Sequence, residues 1–249
     1  MTTEITRIDK PGASRVYEVD GKKLPSVTSI LSIISKPALI PWAAKMAAEK
    51  YTELIRAGEV GDFAALLAVY RDDLPAMEKE ATAAPRQKME AAADVGTRVH
   101  DYIECLNTGQ PLPPVDEEME PCLSAYDAWV SEHHLKIVQS EMMVHTEAYA
   151  GTLDALAVNE DLQSVIIDYK TSNGIYDETA LQVSAYANAV EYMHPERPRI
   201  AEAWVVRFPK DGKTFEAKRV DDWRDKYRYG FQPALALWTM MQNKKGIWV

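Results

Sequence analysis

The chain has 249 residues, 47% of them apolar and 27% charged, a balance that suits a globular protein and excludes a disordered or fibrous one. No stretch approaches the ~18 unbroken apolar residues of a membrane span, and MTTEITRIDK lacks the basic-then-apolar order of a signal peptide. The net charge of -10 argues at first against nucleic acid as a partner.

Taken in chain order, RVYEVDGKKLPSVTSIL turns at Asp20-Gly21 and predicts strand, tight turn and strand. The run from Ala38 to Ala57 is rich in helix formers and has Pro41 in its first turn. Residues 61–108 continue as helices, with interruptions expected near Pro75 and Pro85 and a stop at Asn107-Thr108-Gly109. A Pro-rich loop leads to a further helix, about Glu117 to His133. After Leu135 the period changes. KIVQSEMMVHT, AYAGTLDALAV and QSVIIDYKT read as three neighbouring strands in a meander. A helix follows from about Asp177, then two strand candidates, IAEAWVVRF and KTFEAKRV, with a hairpin turn at Asp211-Gly212. A last helix starts near Asp221, kinked around Gly230 and Pro233, with Trp223, Tyr227, Phe231 and Trp238 at helical spacing.

The charge is unevenly spread. Residues 1–98 carry 14 basic and 14 acidic groups, residues 99–196 carry 2 and 18, and residues 197–249 carry 12 and 6. Lys136 and Lys170 are the only cations in the central block, whereas ordinary surfaces mix the signs. Within that block Asp154 and Asp168 sit inside apolar strands, where an isolated carboxylate is costly unless a cation faces it. Asp168 and Lys170 are two apart and project from one face of a strand. Carboxylates holding a divalent metal beside a lysine suit phosphodiester hydrolysis; a plain Asp-Lys surface pair is the other reading. His100 and Glu104 share a helical face, as do Gln182 and Tyr186. A core or capping histidine, a solvated Glu104 and simple packing of Gln182 and Tyr186 are the alternatives.

Together, GTRVH with His100, Glu141, AGTLDAL with Asp154, IIDYKTS with Asp168 and Lys170, and Gln182-x-x-x-Tyr186 resemble the RecB-type branch of the PD-(D/E)XK nuclease superfamily over residues 95–190. The opening LPSVTSILSIISKPALIPWAAKMAAE is similar to that of bacteriophage-encoded exonucleases related to the CRISPR-associated exonucleases. The resemblance implies an α/β (α+β) fold, a central mixed sheet flanked by helices in a restriction-endonuclease-like core with a helical N-terminal region. It implies a single nuclease domain over 1–249: a hairpin and helical region to residue 94, core motifs over 95–195, and strands and a helix over 196–249. Asp154, Asp168 and the backbone carbonyl of Tyr169 would hold Mg2+ or Mn2+, with His100 as the ligand of the RecB-type branch. Lys170 would be the catalytic lysine, with Gln182 and Tyr186 in the motif that supports it. Glu141 would be an alternate or supporting ligand, or an exposed strand carboxylate. Two cysteines, Cys105 and Cys122, are too few for the relatives' iron-sulfur cluster, so none is expected and both thiols read as packed.

The function implied is a metal-dependent deoxyribonuclease, an exonuclease of recombination, replication or repair, located in the cytoplasm, or the host cytoplasm if phage-encoded. The alternatives are a structure-specific endonuclease and a catalytically silent DNA- or partner-binding module. DNA is the expected partner, with a recombination or single-strand-binding protein and a homo-oligomer left open, and no membrane. Two surfaces offer cations for DNA. One is the C-terminal hairpin and helix with Arg224, Lys226 and Arg228, beside Trp223, Tyr227 and Tyr229. The other is the N-terminal helices with Lys45, Lys50, Arg56, Arg86, Lys88 and Arg98. The competing reading makes the aromatic stripe core and the cations solvated.

Overall fold

The structure, a computed structural model, describes residues 4–9, 15–34, 36–58 and 63–242. Strands β1 (Ile5–Ile8), β2 (Val16–Val19) and β3 (Lys22–Pro25) form an antiparallel sheet in that order. Asp20 and Gly21 join β2 to β3 with φ of 47° and 79°. Positive values at both positions let the turn follow the strand twist, as the Asp-Gly dipeptide predicts. Ser26 then caps α1 (Val27–Leu31), its Oγ accepting the Ser29 N–H at 3.0 Å.

Helix α2 (Leu39–Gly58) matches the expected segment, with Pro41 in its first turn. Helix α3 (Phe63–Thr108) runs 46 residues without a break, and Pro75 and Pro85 lie inside it. The expected interruptions are therefore corrected. An interior proline removes one donor and crowds the carbonyl four residues back, which bends a helix more readily than it ends one flanked by strong helix formers. The stop is where it was expected, with Gly109 at φ 70°. The chain divides into two compact units, residues 35–94 and residues 1–34 with 95–249.

Within the larger unit, α4 (Glu120–His133) begins three residues later than predicted. Asp116 holds the preceding turn, its Oδ1 accepting the N–H groups of Glu118 and Met119. Strands β4 (Lys136–His145), β5 (Ala150–Val158) and β6 (Ser164–Lys170) form the predicted meander. Helix α5 (Asp177–Met193) crosses to β7 (Ile200–Arg207), which lies parallel to β6, and β8 (Glu216–Arg219) pairs antiparallel with β7. The result is a five-stranded mixed sheet in the order β4-β5-β6-β7-β8, flanked by helices.

Two apolar cores hold it. One face packs Leu153, Ile166 and Val205 against α1 and the Val183–Val190 face of α5. The other packs Ala157, Val165, Ile167 and Tyr169 against Val99 and Ile103 of α3 and Trp129 of α4. The chain then turns through α6 (Trp223–Asp225), a π-helical turn at Lys226–Phe231, and α7 (Gln232–Gln242). The predicted kink is this π turn. Gly230 sits against Leu181 of α5 with no room for a Cβ. Among the described residues no helix is long and apolar enough to cross a membrane.

Candidate functional site

Three neighbouring strands set their acidic residues in one row. Ser140 pairs with Ala155 and Met142 with Leu153, so Glu141 and Asp154 stand opposite each other on β4 and β5. Asp168 lies one step beyond the Ala155↔Ile167 pair that ends the β5–β6 ladder, again opposite Asp154. Alternation slips at this row. Ser140 bonds Asn107 of α3 while Met142 packs towards α5, and Ala155 packs on the α3 side while Leu153 packs towards α5. Regular strands would keep such pairs on one face. Glu141 absorbs the slip at φ 47°, a conformation that costs a residue with a Cβ about 1–3 kcal/mol.

Helix α3 brings His100 to the row. Its Nδ1 lies 3.5 Å from Asp154 Oδ1 and 3.7 Å from Glu141 Oε1. Asp154 Oδ2 accepts the Tyr169 N–H at 2.6 Å. The N–H and C=O of a strand residue point the same way, so the Tyr169 carbonyl is directed to the β5 side as well. Asp168 is fully buried and faces α5, where its Oδ1 accepts from Gln182 Nε2 at 2.9 Å. Gln182 Nε2 is also 3.1 Å from the Tyr186 hydroxyl. Lys170 Nζ lies 2.5 Å from Asp168 Oδ2, yet that oxygen has no aligned hydrogen bond.

Electrostatics follow from this crowding. Burial disfavours a charged His100, but the Asp154 carboxylate and the Glu141 contact outweigh it and raise the ring's pKa to about 10. Burial also opposes ionisation of Asp154, which His100 and Lys170 overcome, holding it below the usual carboxylate range. Asp168 is pushed up to about 6 by burial, against the pull of Lys170. Lys170 is raised despite burial, chiefly by Asp168 and Asp154, with Glu178 adding to them.

Of the residues predicted from sequence, His100, Glu141 and Asp154 place one donor atom each within 4.8 Å of one another. Asp168 is not in that group; its oxygens are turned to Gln182 and Lys170. Donors that share Mg2+ at 2.0–2.1 Å must stand about 3–4 Å apart, which the two His100 distances satisfy. The buried Asp168 Oδ2 has the Lys170 ammonium beside it and no aligned hydrogen bond. The donor set therefore fits a divalent cation.

Two glycines of the motifs are explained by close approach. A Cβ on Gly151 would fall 2.5 Å from the Tyr186 ring, and one on Gly96 would fall 2.8 Å from Thr171 Oγ1. Glu104, read from sequence as solvated, is half-buried, and its carboxyl is pushed up by burial and then by Glu141 and Asp101. Glu178 was missed, although its spacing of four and eight from Gln182 and Tyr186 puts all three on one face of α5. Cys122 donates its thiol to the Phe208 carbonyl, and Cys105 is half-buried on α3; both are free.

Several groups on the two surfaces expected to meet DNA have local partners. Trp223 and Phe231 are buried, and Tyr227 and Trp238 pack on the same core, while Tyr229 is exposed. Arg224 pairs with Glu191, Lys50 with Glu53 and Glu80, Arg86 with Glu90, and Arg98 with Asp116 and Glu118.

No protein family's sequence model matches the chain. No curated protein sequence matches it either. Among solved structures it is similar to the crystal structure of SSO0001, with a TM-score of 0.34 and 12% identity over 81% of this chain and 86% of that one. A likeness that slight carries no argument about function.

Proposed function

We propose that the protein is a divalent-metal-dependent deoxyribonuclease, acting as an exonuclease on DNA ends. What supports this reading is the row Glu141–Asp154–Asp168 across three strands, met by His100 from one side and Lys170 from the other. His100, Glu141 and Asp154 would hold Mg2+ or Mn2+, with Asp168 and the Tyr169 carbonyl at its rim. Such a cation, when bound, polarises a phosphate oxygen and acidifies water.

The chain's own groups do the positioning. Tyr169 N–H fixes one oxygen of Asp154 and leaves the other towards His100. Asp168 holds Lys170 by its charge, and Gln182 fixes Asp168 from the opposite side. The Lys170 ammonium is thereby kept beside the row, where it orients the attacking water and stabilises negative charge developing on the phosphate. Water adds to phosphorus as the P–O ester bond breaks, and the proton that the water gives up to solvent is balanced by the one the leaving oxygen takes from solvent, leaving a phosphate monoester and a hydroxyl.

Asp154→Ala, Asp168→Ala and Lys170→Ala are each expected to abolish metal-dependent degradation of linear DNA while the chain stays folded by circular dichroism. If any of the three degrades DNA as fast as the parent, the reading fails. An exonuclease leaves closed circles intact, so cleavage of circular single or double strands would move the assignment to an endonuclease.

A further inference from the structure

The β1–β2 hairpin carries charge on its inward face. Ile5, Tyr17 and Val19, with Leu24, pack on Ala150 at the start of β5. The register sets Ile5 opposite Val19 and Arg7 opposite Tyr17 and ends at Ile8 opposite Val16, with Asp9 and Arg15 directly beyond it. With a side-chain period of two, Arg7 projects from the face that carries the core residues, and Asp9 and Arg15 are joined to it by hydrogen bonds. A hairpin that served only as a cover would place such charges outward.

Two links tie this cluster to the elements that carry the acidic row. Tyr17 Oη is 2.8 Å from Thr152 Oγ1, two residues before Asp154 on β5. Arg15 interacts with that same hydroxyl, and the charge of Arg7 acts on Glu104, one turn beyond His100 on α3. Asp9 accepts from Arg7 Nε at 2.6 Å and from Arg15 Nε at 3.1 Å. One carboxylate thus meets two guanidiniums through their Nε atoms, which leaves these three side chains one positive charge in excess. Both side chains remain open to solvent, at 40% and 42% exposure. Arg219 and Lys213 are different, each meeting a carboxylate one to one.

We propose that Arg7 and Arg15 form a fork for a backbone phosphate of the DNA strand, next to the phosphate being cleaved at the His100–Glu141–Asp154 row. The proposal rests on the nuclease reading above for its substrate. Planar guanidiniums held at a fixed angle suit the oxygens of a phosphate better than mobile ammoniums do. They also supply what the acidic row lacks, a positive contact for the strand on the side away from Lys170.

The test is fluorescence anisotropy of a labelled single-stranded oligonucleotide, titrated over a range of salt with full-length chain. A Lys170→Met background prevents cleavage, and Mn2+ binding is measured in parallel by calorimetry. Adding Arg7→Ala and Arg15→Ala together is expected to weaken Kd at least tenfold. The slope of log K against log salt should fall by about 0.7, one phosphate contact on a single strand. The Arg7→Lys, Arg15→Lys pair should keep the slope and lose several-fold in affinity. Mn2+ binding should be unchanged throughout.

Parental affinity and slope in the alanine pair would overturn the proposal, and so would a lowered melting temperature with the slope unchanged, which is the behaviour of an ion pair that only braces the hairpin. If the alanine pair does not fold, the lysine pair decides, and parental affinity there overturns it. A chain that binds no Mn2+ and cleaves nothing, yet loses slope with the alanine pair, removes the nuclease reading and leaves the fork standing.

Discussion

Tyr169 gives its backbone N–H to Asp154 Oδ2 at 2.6 Å, at the point where the β5–β6 ladder has ended. A side chain takes over from the ladder, tying the strand of Asp168 and Lys170 to that of Asp154. Asp154→Asn keeps an oxygen for this bond but loses the charge. It should bind Mn2+ at least ten- to a hundredfold more weakly, as disturbed metal sites do, and melt close to the parent. Asp154→Ala should lose the metal and also about 1–3 kcal/mol of stability, because a buried N–H loses its acceptor. Calorimetry and thermal denaturation separate the two effects; equal melting of both variants would mean the bond ties nothing.

The metal should compete with a proton. Without it, burial is outweighed by Asp154 and Glu141, and His100 with a pKa of about 10 is charged at neutral pH. Mn2+ binding should then release about one proton and tighten roughly tenfold per pH unit near neutrality. Calorimetry in two buffers of different ionisation enthalpy measures the release, and His100→Gln should abolish it. The same group stabilises the metal-free fold fully below its ordinary value of 6.5 and loses that contribution as pH rises through about 10. Release of no proton would remove His100 from the ligand set.

Gln182 is expected to act through Asp168. Gln182→Leu leaves a fully buried carboxylate short of its donor, at a cost of about 1–3 kcal/mol. Burial already lifts Asp168 from 3.8 to about 6, so in the metal-free protein its stabilising share is present below 3.8 and lost as pH rises through about 6. Losing the donor moves that window upwards. The acid limb of the pH–rate profile for DNA hydrolysis should shift to higher pH, with kcat falling more than KM changes. A profile identical to the parent's would show that Gln182 only packs.

Much of this fold was legible because local chemistry and tertiary demand agree. Asp20-Gly21 has the positive φ values its turn requires, and the apolar runs that read as a meander pair in that order. The continuity of helix α3 was not legible, since composition alone does not say whether strong flanking formers will carry a helix through Pro75 and Pro85. The order of His100, Glu141, Asp154, Asp168 and Lys170 could be read along the chain. Their division could not. That the first three group together while Asp168 turns to Gln182 depends on the slip at Glu141, and its φ of 47° leaves no mark in sequence. The inward Arg7, with Arg15 joined to it through Asp9, was hidden for a related reason: the face of a hairpin is known only once its core is known.

Gly151 is the most demanding position in the support of the site. It precedes Asp154 by three residues, and a Cβ there would stand 2.5 Å from Tyr186 Cε1, closer than real Cβ atoms come. The ring cannot yield easily. Tyr186 is buried in the α5 core, and its hydroxyl is 3.1 Å from the Gln182 amide that holds Asp168. Gly151→Ala should therefore cost about 1–3 kcal/mol, the usual result of overpacking, seen as a lower melting temperature. It should also slow DNA hydrolysis, because displacement of Tyr186 moves Gln182 and then Asp168, while Mn2+ affinity at His100, Glu141 and Asp154 changes less. Pairing Gly151→Ala with Tyr186→Leu, which removes the ring, should recover part of the lost stability without restoring the rate. If Gly151→Ala melts and cleaves as the parent does, the close approach is relieved elsewhere and Tyr186 does not transmit strain to Asp168.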